Sequence, residues 1–421
     1  MRISPSKIIF WALLLCVVLV WFLSSDTSRA RKVQKELFSQ SQEAAIIAGI
    51  ASTTRPSTTP PTPVTTETPA LTEPSATTEA VVTTEAVATT EAITTTEAIV
   101  TTEAIVTTEA TSPAVTPSGD IVLLFGGDVN LDSDYSNFRG VGSAKDCIDA
   151  SLLDEMNAAD VFMHGNIFAL TNSENGINKG YLFKATPEEA AVLVELGADI
   201  VSLANNHTLD FGIDGLADTV AALNANGIAH VGAGMTEELA KKPHYVDVGG
   251  KRIAFTAAMR SERYPRTPEA IGEDGGVVKM YDLENYLEII REAAKNADFV
   301  VAYAHWGVEN TIWLEQEQLD GARALIDAGA DIVVGAHSYT LQTAEYYNGK
   351  PIFYGLGELS GEGGLAKITI SESGDISAKI IPFNISNGVT TPLSGKALDV
   401  KIAELDSISS SKVTIDGDIV K

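Results

Sequence analysis

Five polar clusters in this chain each follow a short apolar run. They are Gly126-Gly127-Asp128-Val129-Asn130, Gly165-Asn166-Ile167-Phe168, Asn205-Asn206-His207-Thr208-Leu209-Asp210, Ala304-His305-Trp306-Gly307 and Gly335-Ala336-His337-Ser338-Tyr339. The preceding runs, such as Ile121 to Phe125 and Ile332 to Val334, have the length and composition of buried strands. Strands are predicted at 121–126, 160–164, 199–203, 228–232, 252–258, 298–304, 331–335 and 351–355. Helices are predicted at 187–196, 213–226, 283–295 and 314–328; Thr186 is the N-cap of the first and Pro187 its first residue. Alternating strand and helix specify a layered α/β domain. Two strand-like runs without helices, 366–370 and 378–381, add an antiparallel pair. In open α/β sheets functional groups gather beyond the carboxyl ends of the strands. Strand ends that deliver Asp, Asn and His to one edge can build a metal or phosphate site.

This domain occupies only part of the 421 residues and is expected to span 119–385. Residues 1–30 read as a membrane anchor. Ile8 to Leu23 are uninterruptedly apolar, with Arg2 and Lys7 before them and Arg29, Arg31, Lys32 and Lys35 after. Sixteen helical residues reach about 24 Å, slightly short of a ~30 Å hydrocarbon core without help from the flanks. An uncleaved anchor is expected over a cleaved signal peptide, because Ser28-Arg29-Ala30 is a poor cleavage site followed by basic residues. Residues 31–118 read as a disordered stalk. Thr-Thr-Glu-Ala recurs every six residues from Thr77 to Thr107, and the stretch from about Ser52 to Pro117 has no aromatics and cannot assemble a core. Its Thr/Pro-rich part, about 65 residues, reaches roughly 200 Å if fully extended. The expected placement is single-pass in the cell membrane with the domain extracytoplasmic, and 386–421 as a loose tail. A net charge of −27 excludes nucleic acid as a partner, since phosphate binding needs a basic face. With only Cys16 and Cys147, no internal disulfide framework exists.

The clusters differ in weight. Gly-Gly-Asp128 alone is explained by a turn in which the glycines let the strand end bend sharply. Asn205-Asn206-His207 is stronger, because an Asn carbonyl can bind a metal and a nearby His can move a proton. Asp210 reads as the N-cap of the next helix. His305 and His337 occupy equivalent strand-end positions, and imidazole suits Zn, Mn or Fe better than Mg. Trp306 lines a pocket or simply packs. His230 and His244 have no such context. Arg260, Arg263 and Arg266 form a small basic loop that faces an anionic ligand or only solvent.

Ser202 to Gly212, Ala304 to Glu309 and Gly335 to Gln342 closely resemble the bacterial capsule-synthesis CapA family, associated with poly-γ-glutamate. Supporting stretches are Gly232-Ala-Gly234, Ala328 to Asp331 and Tyr354 to Gly357, and the resemblance covers about 119–381. It implies a calcineurin-like metallophosphatase fold, a four-layer α/β/β/α sandwich. It also implies Asp128, Asn206, His305 and His337 as metal ligands and His207 as the catalytic residue; Asn205 and Trp306 beside them are expected to be substrate contacts. Two positions depart from the family pattern. Phe168 stands where a metal-bridging carboxylate is usual, and Tyr339 where a second His is usual. Two cations about 3.5–4 Å apart depend on such a clamp. One divalent ion (Mn, Zn or Fe) is therefore expected instead of two, with His164, Tyr339 and Glu358 as candidate compensating ligands. The implied role is capsule or poly-γ-glutamate synthesis or export, with metal-dependent hydrolase or transferase activity. The alternative is a binding or scaffold component that has lost catalysis. The implied partners are the membrane and an anionic surface polymer or its synthesis machinery.

Overall fold

The computed structural model describes residues 119–420 apart from 136, 137, 139–141, 261–266, 415, 416 and 418. The expected anchor and stalk lie outside the described residues, as do Arg263 and Arg266. Among the described residues no helix is long and apolar enough to cross a membrane.

Two mixed sheets form the domain. The first has seven strands. Its centre is β1 (Ile121–Val129), flanked by β2 (Val161–Asn166), β3 (Ile200–Ser202) and β4 (Ala229–Val231), all parallel. The second has six. In it, β5 (His244–Val248) runs antiparallel to β6 (Lys251–Met259), which is parallel to β7 (Phe299–His305) and β8 (Ile332–Ala336). A final hairpin of β9 (Ala344–Tyr347) and β10 (Lys350–Phe353) adds to its edge beside β8. The predicted antiparallel pair is present as β11 (Gly363–Ile370) and β12 (Ile376–Ser386), with β11 antiparallel to β1. His230 and His244 lie on the outermost strands β4 and β5.

Side-chain alternation along β6, β7 and β8 explains how the layers stack. Ala254, Val300, Ala302 and Val333 pack with Tyr286 and Ile290 of α5 (Leu283–Ala293) and Leu325 of α6 (Gln316–Ala328). Their neighbours Ile253, Phe255, Val301, Ile332 and Val334 join the core of the first sheet, with Leu123 and Ile368. A period of two thus gives each strand one helix-facing and one sheet-facing side. On the first sheet's side lie α1 (Ala150–Ala158), α2 (Ala190–Glu195) and α3 (Gly212–Ala225); a short α4 (Glu237–Lys241) precedes β5. Thr186 and Glu189 form the predicted start as a reciprocal capping box, with Pro187 opening a 3-10 turn before α2.

Two local readings are corrected. The expected loose tail at 386–421 is ordered where it is described: β13 (Val389–Pro392) pairs with β12, and α7 (Gly395–Ile408) buries Ile402 and Leu405. Only two residues of α7 are buried, so its apolar stripe is too thin to mark a core helix in the sequence. Nor do Gly126 and Gly127 end the strand in a sharp turn. β1 continues to Val129, with a register shift against β2 between Phe125 and Asp128 that re-aims the carboxylate. Gly127 is needed for close approach, since a Cβ there would lie 2.1 Å from the Gly357 carbonyl oxygen.

Candidate functional site

The carboxyl ends of β1, β7 and β8 meet where the sheets face each other, and Asp128 lies at the junction. It is fully buried. Its Oδ2 accepts a hydrogen bond from the His337 backbone N–H at 2.9 Å, and its Oδ1 lies 3.6 Å from His305 Nδ1. His337 has φ 88° and Tyr339 φ 53°, both in the left-handed region that non-glycine residues seldom occupy. A bend of this kind is kept where the surroundings over-determine it. Across from Asp128, the bare Cα of Gly165 leaves room for the carboxylate: a Cβ there would sit 2.5 Å from Asp128 Oδ1.

The loop after β3 supplies the other half. Asn206 Oδ1 and His305 Nε2 are 3.0 Å apart, and the His305 and His337 rings are centred 4.5 Å apart. Asn205 faces inward, its amide donating to the Asn166 carbonyl and its oxygen accepting from the His207 N–H. It shapes the loop and does not reach the cleft. Trp306 resolves to packing, because it is buried in the α5–α6 core and donates to the Tyr354 carbonyl at 2.9 Å.

Asp210 does not cap α3, whose first flanking residue is Phe211. Its carboxylate is buried, with Oδ1 taking Lys179 Nζ at 2.7 Å and Oδ2 taking His207 Nδ1 at 2.7 Å and the Phe183 N–H at 2.9 Å. Lys179 and His207 both donate to this carboxylate, which accounts for the 3.1 Å approach of Nζ to Nδ1. The Phe183 ring stacks on His207, with centroids 4.0 Å apart. Burial lowers the His207 pKa, against the opposing hydrogen bond to Asp210. With Nδ1 protonated toward Asp210, the Nε2 lone pair is left available.

A cleft of about 590 Å³ opens above these residues. Its lining includes His207, Lys179, Glu309, Tyr339 and Glu358, with an aromatic wall of Tyr135, Tyr181 and Phe183. Of the three candidate compensating ligands, Tyr339 and Glu358 reach this cleft. His164 does not: Gly165 points at Asp128, so its neighbour points to the opposite sheet face, against Phe162. Burial pushes the His164 pKa down to about 4. Phe168 is taken into the apolar core, and Ile167 is what that stretch shows the cleft. Glu358 pairs with Asp128 in a parallel bridge. Burial, opposed by the Ser360 hydroxyl and assisted by the Asp128 charge, pushes its carboxyl up to about 7.

Among the described residues no group of three or more His, Cys, Asp or Glu side chains converges as a ready metal cage. The set here is mixed and relies on the amide of Asn206. Its donor chemistry nevertheless fits one divalent ion. Asp128 Oδ1 and Asn166 Oδ1 are buried without a hydrogen bond, and His305 and His337 stand beside Asp128. Buried polar atoms left unsatisfied are costly, and a cation among them is a common reason for their retention. In an ion-bound form the Asn206–His305 hydrogen bond would give way to ligation by both groups.

Sequence reasoning missed Lys179, Phe183 and Glu309, and misjudged Asp210. Lys179 lies in a polar stretch with no periodic signal. Glu309 follows His305 by four residues within a stretch already singled out for its chemistry.

The fold and site define a two-sheet α/β protein with a polar, partly aromatic cleft at its strand ends. Residues 122–361 match the model of the bacterial capsule synthesis protein family PGA_cap, and the chain belongs to that family. It is 32% identical over 228 residues to the PGA biosynthesis protein CapA of Bacillus subtilis, covering 51% of this chain and 58% of that protein. The capsule biosynthesis protein CapA of Bacillus anthracis is 33% identical over 238 residues, with 53% and 56% covered. The chain thus spans under three-fifths of the length of either relative. Among solved structures, the NAD nucleotidase of Haemophilus influenzae superposes with a TM-score of 0.41 at 16% identity, covering 69% of this chain and 57% of that one.

Proposed function

We propose that this protein serves the synthesis or export of a capsule polymer of the poly-γ-glutamate kind, as a metal-dependent hydrolase or transferase of metallophosphatase type. The observation that carries the chemistry is the buried Asp128 Oδ1, without a hydrogen bond and beside His305 and His337. Family membership and the printed names of the Bacillus relatives support the process. Asp128, Asn206, His305 and His337 would hold one divalent ion, Mn, Zn or Fe, which supplies Lewis-acid polarisation of a substrate oxygen. His207, fixed by Asp210 and Lys179, presents Nε2 to the cleft and takes a proton from an attacking water or hydroxyl. Tyr135, Tyr181 and Phe183 give the substrate a wall to lie against. On this reading the domain works outside the membrane, carried by the N-terminal anchor and stalk.

The core position of Phe168 favours a second reading, a binding component without turnover. The experiment that separates them uses the full chain, loaded with Mn²⁺ and assayed on a generic phosphodiester. Turnover that is lost on chelation and in His207→Ala supports the enzyme. Bound metal without turnover supports the binding component, and absence of bound metal overturns the site.

A further inference from the structure

Glu358 shares a strand end with Asp128. The two are register partners in a parallel bridge, with Asp128 N–H donating to the Gly357 carbonyl at 2.9 Å and Leu359 N–H to the Asp128 carbonyl at 2.8 Å. Paired residues in a sheet project to the same face. Both carboxylates therefore emerge side by side at the end of β1, and Glu358 lines the cleft. One Glu358 oxygen, Oε1, is held by the Ser360 hydroxyl. Asp128 Oδ1 is itself buried without a hydrogen bond. Two carboxylates at one partly buried strand end repel when both are charged, and a cation between them relieves that repulsion. Among the described lining residues of the cleft the one Lys or Arg is Lys179, which is engaged with Asp210. On the other side of Asp128 the stretch Ile167-Phe168 offers no carboxylate.

We propose that Glu358 is a carboxylate ligand of the divalent ion, entering from the loop after β10 on the Asp128 side. This rests on the reading that the cleft holds an ion. The ion's shell is then Asp128, Asn206, His305, His337 and Glu358, an oxygen-rich set that suits Mn²⁺ better than an all-nitrogen one.

The test is calorimetric titration of MnCl₂ into the demetallated full chain, compared with Glu358→Gln, Glu358→Asp and Glu362→Gln. Circular dichroism confirms that each variant is folded. Glu358→Gln keeps the shape and removes the charge, and is expected to weaken Mn²⁺ binding about tenfold or more. Glu358→Asp, one methylene shorter, is expected to fall between. Glu362, which bonds Lys401 and Thr340 instead, is expected to leave affinity unchanged. Wild-type binding equalled by Glu358→Gln overturns the assignment and leaves the ion site standing. Absence of wild-type binding overturns the ion site itself. An equal loss in Glu362→Gln shows a general charge effect and also overturns the assignment.

Discussion

Replacing Asp210 by Asn tests whether His207 is anchored as drawn. Asp210 is fully buried and the Lys179 side chain is 7% exposed, with Nζ 2.7 Å from the carboxylate. At an effective dielectric of about 20, two unit charges at that distance attract by about 6 kcal/mol before desolvation is counted. Removing one member of a buried pair strands the other, at a net cost of about 3–5 kcal/mol. Lys179 keeps its bond to the Asn206 carbonyl, so the lower end of that range is the better expectation. For a domain of this size a loss of about 3 kcal/mol lowers the melting temperature by roughly 5 °C. Urea unfolding of the wild type, Asp210→Asn, Lys179→Met and the double variant would give the coupling directly. The double variant is expected to lose less than the sum of the singles by at least about 1 kcal/mol. If Asp210→Asn unfolds within about 1 kcal/mol of the wild type, the buried pair is not formed and His207 has no fixed tautomer.

Other outcomes follow from the same geometry. Gly165→Ala would drive a methyl to 2.5 Å from Asp128 Oδ1 and 3.2 Å from the Tyr303 hydroxyl. It should cost about 1–3 kcal/mol in denaturant unfolding and weaken divalent-ion binding in titration. Truncation after residue 385 should lower the melting temperature sharply. It removes β13 and the burial of Ile402 and Leu405, worth about 1.5–3 kcal/mol per side chain. Cys147 is buried, and desolvation pushes its thiol pKa up to about 12, so its thiolate is scarce at pH 8. Site-resolved mass spectrometry after iodoacetamide treatment should find it unmodified in native protein and modified in urea. In His207→Ala turnover should fall about a hundredfold or more while Mn²⁺ titration changes little, because a proton-transfer residue is not a ligand.

Most strands and α2, α3, α5 and α6 were legible because their apolar periods are strong, whereas β5, β9, α1 and α4 were not predicted. β1, β6, β7 and β8 are continuous buried runs, and α3, α5 and α6 show helical spacing. The C-terminal elements were not legible, since β13 and α7 bury few side chains and the segment reads as polar. Asn206, His207, His305 and His337 stood out by strand-end position and Asp128 only through the family resemblance, and the structure brings the five together. The side of the sheet each residue faces was harder to read. Trp306 and His164 carry suitable chemistry but point into cores, and a one-residue step along a strand decides that. Lys179 was missed, and Asp210 taken for a helix cap, for a different reason. Their roles come from contact between loops distant in sequence, which no local spacing records.

The central claim is a single divalent-ion site shared by the ends of the two sheets. Its most direct test is the metal stoichiometry of the full chain, saturated with Mn²⁺ and freed of excess. The value should be near one ion per chain, falling toward zero in Asp128→Asn and His337→Ala while the fold persists. A wild-type value near zero, or near two, would contradict it.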